Sequence, residues 1–230
     1  MGLFLGSTII NPIEIVSKSP TKYGVSIDNI FGEPDSNGVL QKSSNNFSFV
    51  LPNTVVDLGE GVLQNAFKNY TNLISADLSS LVNISGNFSL QNAFASCSNL
   101  NSVNLSSLVN ITGSYALTNA FDSCSALTSI TFNNLSKVLG SFCFKEAFYG
   151  CTSLAIINFP ALTSNSFIND ENIFNRNALK DLLYESGTNV VHVIHFPSNL
   201  EDVISGLNGY PTFGGTNGYV QLLFDLPATE

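Results

Sequence analysis

The apolar positions of this chain repeat in blocks, not in the short periods of isolated helices or strands. Phe67, Phe94, Phe121 and Phe148 stand 27 positions apart, each preceded by Ala (Ala66, Ala93, Ala120, Ala147), and a degenerate Ile173-Phe174 follows 26 residues later. Three positions past each Phe come Tyr70, Cys97, Cys124 and Cys151, and three further on Leu73, Leu100, Leu127 and Leu154. The pairs Ala76/Leu78, Val103/Leu105, Ile130/Phe132 and Ile157/Phe159 follow, then Leu81, Leu108, Leu135 and Leu162. Ile84, Ile111 and Val138, then Gly86, Gly113 and Gly140, complete the block.

One such block cannot cover its own apolar side, but stacked copies can, each residue type lying over its counterpart. The period of two in Val103-x-Leu105 predicts a short strand with those side chains inward. The glycine after the next apolar residue predicts a tight turn. Asn-Ala-Phe-x-x-Cys predicts one helical turn or a 3₁₀ segment, with Phe filling the interior. Four to five coils are expected over residues 60–169.

The unit Leu100-x-x-Val103-x-Leu105, Ile111-x-Gly113, Ala120-Phe121-x-x-Cys124-Ser125-x-Leu127 resembles the BspA-like (Treponema-type) leucine-rich repeat. The resemblance covers about residues 60–165. The coil is slightly longer than is usual for that family, and the excess falls between Leu108 and Ala120. The resemblance implies an α/β repeat fold, a leucine-rich-repeat solenoid, and a surface-exposed adhesion or host-interaction protein.

The flanks do not repeat. Residues 1–59 predict a β-rich N-terminal cap or attachment module: two short strands around Gly6-Ser7, a strand over 25–30, and a turn at Pro34-Asp35-Ser36-Asn37-Gly38. Residues 170–230 predict an α/β C-terminal cap. It comprises a helix over 170–185, a strand over 189–196, a helix opened at Ser198-x-x-Glu201 by a capping box and running to about Leu207, and a final strand over 219–226. The phrases Phe4-Leu5-Gly6-Ser7-Thr8, Lys22-Tyr23-Gly24-Val25 and Phe196-Pro197-Ser198-Asn199-Leu200 are similar to flanks of tail-associated proteins of gut phages and prophages. That similarity implies a virion location and other tail proteins as partners, and tail fibres offer the analogy of a homotrimer.

Composition narrows the function. Only 11% of the 230 residues are charged against 44% hydrophobic, so the surface must be built from neutral Ser, Thr and Asn. The net charge of −9 with eight basic residues speaks against nucleic acid, whose phosphates need clustered Lys and Arg, and against anionic membranes. Met1 to Gly6 has neither a basic start nor a long apolar run, so neither a secretory signal nor a membrane span is expected.

Catalytic and metal motifs are sparse. The sequence holds no Cys-x-x-Cys and no Gly-x-Ser-x-Gly elbow. Cys97, Cys124 and Cys151 share one column and should point the same way, as buried free thiols, with Cys143 isolated. His192 and His195, three apart on a strand, face opposite sides and cannot share a metal. Asp170-Glu171 suits a helix start, and Asp35-x-Asn37 lacks the later Glu of a calcium loop. Phe88, Tyr115 and Phe142 are expected in the core. The triplets at Asn83, Asn87, Asn104 and Asn110 recur only because the repeat does.

No cofactor and no enzymatic activity are therefore expected. The candidate binding face is the set of outward strand residues: Ser75, Asp77 and Ser79; Ser102, Asn104 and Ser106; Ser129, Thr131 and Asn133; Ile156, Asn158 and Pro160. Such a sheet of short hydroxyls and amides suits a host cell-surface glycan or protein. The reading is a receptor-binding subunit of a phage or prophage tail. The alternatives are a bacterial cell-surface adhesin and a purely structural virion component.

Overall fold

In the computed structural model the chain is a β-solenoid of about six coils with turns of about 27 residues and few helices. The structure describes residues 3–5, 8–10, 17–19, 22–23, 46–51, 53–168, 179, 182–183, 191–208, 210, 213 and 219–228. The expected strand over 25–30, the turn at 34–38, the helix over 170–185 and the carboxylates Asp35, Asp170 and Glu171 lie outside these residues.

The first strands are β1 (Leu3–Leu5), β2 (Thr8–Ile10), β3 (Ser17–Ser19), β4 (Lys22–Tyr23) and β5 (Phe47–Val50). β1 and β2 form the antiparallel hairpin expected around Gly6-Ser7, and β1 also pairs antiparallel with β5. From β5 onward the pairing is parallel. β7 (Leu73–Asp77) lies beside β5, and β9 (Ser102–Asn104) beside β7. The front sheet resumes with β11 (Ser129–Thr131), β13 (Ile156–Asn158), β14 (His192–Pro197) and β15 (Val220–Leu226). A back sheet stacks the two-residue strands β6 (Asp57–Leu58), β8 (Asn83–Ile84), β10 (Asn110–Ile111) and β12 (Lys137–Val138), all parallel.

Between back and front, each coil crosses a ribbon of successive turns. This corrects the expected helical or 3₁₀ turn. In the first ribbon, Gln64, Ala66 and Lys68 donate their N–H to the carbonyl three residues back, as in a 3₁₀ helix. The alternate amides of Leu63, Asn65, Phe67 and Asn69 instead reach the next coil, at Ser89, Gln91, Ala93 and Ala95. A positive φ every fourth residue (Gly61, Asn65, Asn69; then Phe88, Asn92, Ser96) reverses the chain before a helix can propagate. Half the amides thus satisfy the turn and half join the coils, which leaves few buried donors unpaired.

The repeat columns become ladders. Phe67, Phe94, Phe121 and Phe148 stack with centroids 5.5–5.6 Å apart and near-parallel rings. A second ladder runs through Phe132, Phe159, Phe196 and Phe224 at 5.0–5.7 Å. These rings are fully buried except the last, Phe224, which is only partly covered.

The Gly86, Gly113 and Gly140 column has a different cause from the expected turn. None of the three has a positive φ; instead, a Cβ on Gly113 would lie 1.9 Å from the carbonyl oxygen of Gly86, and one on Gly140 1.9 Å from that of Gly113. The glycines are there because consecutive coils touch backbone to backbone.

At the C-terminal end, β14, a short helix α1 (Glu201–Ser205) and β15 form a β-α-β unit with parallel strands. The N-cap of α1 is Leu200, with no side-chain cap bond, so the capping box expected at Ser198 does not form. The helix also starts and ends within a narrower span than 198–207. Among the described residues, no helix is long and apolar enough to cross a membrane.

Candidate functional site

The strands of the front sheet bring the predicted outward residues into columns. Ser75 lies beside Ser102 and Asp77 beside Asn104; Ser129 lies beside Ile156 and Thr131 beside Asn158. The two halves of the sheet are hydrogen-bonded separately, but the columns stay aligned, since Phe94 and Phe121 stack across the junction at 5.6 Å. Ser79, Ser106, Asn133 and Pro160 sit just past the strands, in the turns.

Not all of these groups are open to a ligand. Asp77 Oδ1 accepts the N–H of Ser79 at 3.0 Å and Asn104 Oδ1 that of Ser106 at 3.1 Å, so both side chains cap the turn that ends their strand. Ser75 donates to Ser48 at 2.6 Å, and Asn158 Nδ2 to Thr131 Oγ1 at 3.1 Å. Ser102 and Ser129 are exposed and, among the described residues, their hydroxyls have no hydrogen-bond partner. Asn133, in the turn after its strand, is likewise exposed.

The outward face also changes character along the axis. The column Ser75, Ser102, Ser129 continues into Ile156, Val193 and Gln221. Ile156 is 40% exposed, and Val191 and Tyr219, just before β14 and β15, are 47% and 38% exposed. Three coils of hydroxyls thus give way to Ile156 and Val193 before Gln221 returns a polar group on the last strand. The register here depends on pairing β13 (Ile156–Asn158) with β14 (His192–Pro197) across a long connection, where the repeat spacing no longer helps.

The two histidines point to opposite sides, as expected. His192 is buried with Nδ1 against the carbonyl of Leu154, and His195 Nδ1 lies 2.8 Å from Asp225 Oδ1 at the surface. Among the described residues no group of His, Cys, Asp or Glu could hold a metal ion.

Cys97, Cys124, Cys143 and Cys151 are buried thiols, none of them in a disulfide. The three ladder thiols share one role: each donates to the carbonyl of a ladder Phe one coil back, Cys97 to Phe67 at 3.0 Å, Cys124 to Phe94 at 3.2 Å and Cys151 to Phe121 at 3.0 Å. Burial pushes the Cys151 thiol from about 9 up to about 12, and raises Cys124 and Cys143 as well. Two results follow. Native protein should leave these thiols unreacted with a disulfide reagent near pH 8, and unfolding should release them. Stability should be independent of thiol ionisation below about pH 9 and then fall as pH rises toward about 12, because the unfolded thiols lose protons that the buried ones keep. A urea midpoint that stays flat across that window would contradict this.

One feature escaped the sequence reading. Phe88, Tyr115 and Phe142, expected in the core, form a ladder on the turn ribbon with centroids 5.5 Å apart. Phe88 is 36% exposed, and the other two are half-buried. All three have positive φ (58°, 56° and 54°), a region that suits glycine, and the same position one coil earlier is Gly61 with φ 64°. The signal is present when the chain's own repeats are overlaid: columns mixing Gly and Asn with other residues every fourth position mark left-handed backbone.

This geometry, an alternation of short parallel strands and a hydrogen-bonded turn ribbon around stacked Phe columns, defines a leucine-rich-repeat solenoid. Residues 36–201 match the family model described as BspA type Leucine rich repeat region, in six copies. The chain belongs to this family. No curated protein matches it in sequence. Among solved structures it is similar to the leucine rich repeat protein of T. pallidum (TpLRR), with 22% identity and a TM-score of 0.41 over 66% of this chain and 60% of that one. A leucine-rich repeat protein from Bacteroides ovatus gives 21% identity and a TM-score of 0.38 over 76% of this chain and 42% of that one. The chain therefore spans less than two thirds of either structure.

Proposed function

We propose that this chain is a non-catalytic binding subunit, carried on a phage or prophage tail, that recognises a host surface glycan or protein through the outer face of its front sheet. The observation that carries this reading is the aligned display of exposed Ser102 and Ser129 among short amides and hydroxyls on a rigid ladder. Such groups lose little side-chain entropy when they bind, and their fixed spacing suits a polar ligand directly or through water. The similarity of the flanking phrases to tail-associated proteins supports the virion location. Family membership supports a second reading, a bacterial surface adhesin, which uses the same face.

The test is binding of the purified chain to host cells and to a glycan array. Ser102→Tyr with Ser129→Tyr should lower binding by at least about tenfold, or about 1.4 kcal/mol, with circular dichroism and Tm unchanged. Unchanged binding would move the site off this face, and no binding by the unaltered chain would favour a structural virion component.

A further inference from the structure

We infer that the chain self-associates through β15, the last strand of the front sheet, pairing antiparallel with β15 of a second copy about a two-fold axis at Leu223. Three observations converge on this strand. First, β15 ends the sheet order β11-β13-β14-β15, so one of its two edges has no strand beside it among the described residues. His192 donates its N–H to the carbonyl of Tyr219, which in a parallel ladder turns Tyr219, Gln221 and Leu223 toward β14, up to the register shift after Phe224. The amides and carbonyls of Val220, Leu222 and Phe224 therefore face outward.

Second, those same residues close the core. Ile194 and Phe196 on β14 are fully buried, but Val220, Leu222 and Phe224, one strand further out, are only partly buried. The last layer of the interior is left half open at the point where the backbone is unpaired. Third, the stretch from Val220 to Phe224 carries no charge and no Pro, features that commonly blunt an exposed edge; Asp225 and the register shift come only at its end.

The occupant follows from the match of the strand with itself. With Leu223 opposite its own copy, Leu222 faces Phe224 of the partner on the core side, ahead of the register shift beyond which the Leu226 carbonyl turns back to the Ser198 N–H. Both members of the Leu222–Phe224 pair have outward backbone groups, as a hydrogen-bonded antiparallel pair requires. On the outer side Gln221 meets Asp225 of the partner, so the two Asp225 carboxylates stay apart. The competing partner within another copy is β2, at the far end of the sheet, but it has three residues against seven. Pairing β15 with β2 would also propagate head to tail into filaments and not close.

Sedimentation and light scattering on the full chain should give twice the chain mass, with the amides of Val220, Leu222 and Phe224 protected from hydrogen exchange. Leu223→Lys sets two like charges at the axis without touching the backbone, and should weaken association at least about tenfold. Leu222→Pro removes one outward donor and should do the same, so a folding failure of one variant leaves the other. Ser102→Tyr, on a distant strand, should leave the dimer intact. A monomer at all concentrations, a trimer, a head-to-tail polymer, or a dimer insensitive to both variants would overturn the inference.

Discussion

Replacing Phe121 with Ala is expected to lower the stability of the solenoid by about 3–5 kcal/mol, as truncation of a deeply buried aromatic does. Phe121 is fully buried and lies between Phe94 and Phe148, at 5.6 and 5.5 Å. Its carbonyl accepts the Cys151 thiol and its amide bonds to Ala147 in the next coil. Those backbone contacts hold the coil in place, so the walls cannot collapse to fill the void. Phe88→Ala is the matched comparison. Its ring also stacks at 5.5 Å, on Tyr115, but is 36% exposed, and its loss should cost about 1 kcal/mol. Urea unfolding of the two variants separates burial from stacking as the source of stability. Equal costs would show that stacking dominates and that the buried column has no special weight.

Gly113→Ala should be comparably damaging, by more than about 3 kcal/mol, toward the upper end for overpacking a rigid site. The new methyl carbon would lie 1.9 Å from the oxygen and 2.4 Å from the carbon of the Gly86 carbonyl. Both are backbone atoms, so no rotamer change relieves the contact. Separating the coils would stretch the bonds that Thr112 and Gly113 make to the Ile84 carbonyl, at 3.0 and 3.2 Å. A fall in Tm on the order of 10 °C is expected. Gly61→Ala is the contrast. Its methyl would meet only the Gln64 side chain at 3.5 Å, and its cost is the left-handed backbone alone, about 1 kcal/mol. If Gly113→Ala proves as mild as Gly61→Ala, the coils are not in backbone contact there.

The column logic of the fold was legible before any coordinates, because a solenoid makes each position see its own copies. Phe67 to Phe148, the Cys ladder and the inward pairs of each strand needed only the 27-residue period. The glycine column was legible as a column but not in its cause, since φ and close approach leave the same mark in a sequence. The turn ribbon was misread because Ala-x-x-Cys spacing fits one turn of helix as well as a chain of turns. Only the Gly and Asn substitutions at every fourth position distinguish the two. Phe88, Tyr115 and Phe142 were placed inside by their hydrophobicity, whereas a positive φ turns their side chains partly toward solvent.

By itself the sequence determined the coil length, the identity of the core ladders and which strand residues face outward, because those follow from periodicity and from the alternation of side chains along a strand. Tertiary structure alone decided that Asp77 and Asn104 spend their side-chain oxygens on turns while Ser102 and Ser129 stay open, and that the hydroxyl column passes into Ile156 and Val193. It likewise decided that, among the described residues, β15 is the edge of its sheet, over a half-open core. These outcomes depend on which groups find hydrogen-bond partners and which layer comes last. They are settled by neighbours distant in the chain, which no repeat period encodes.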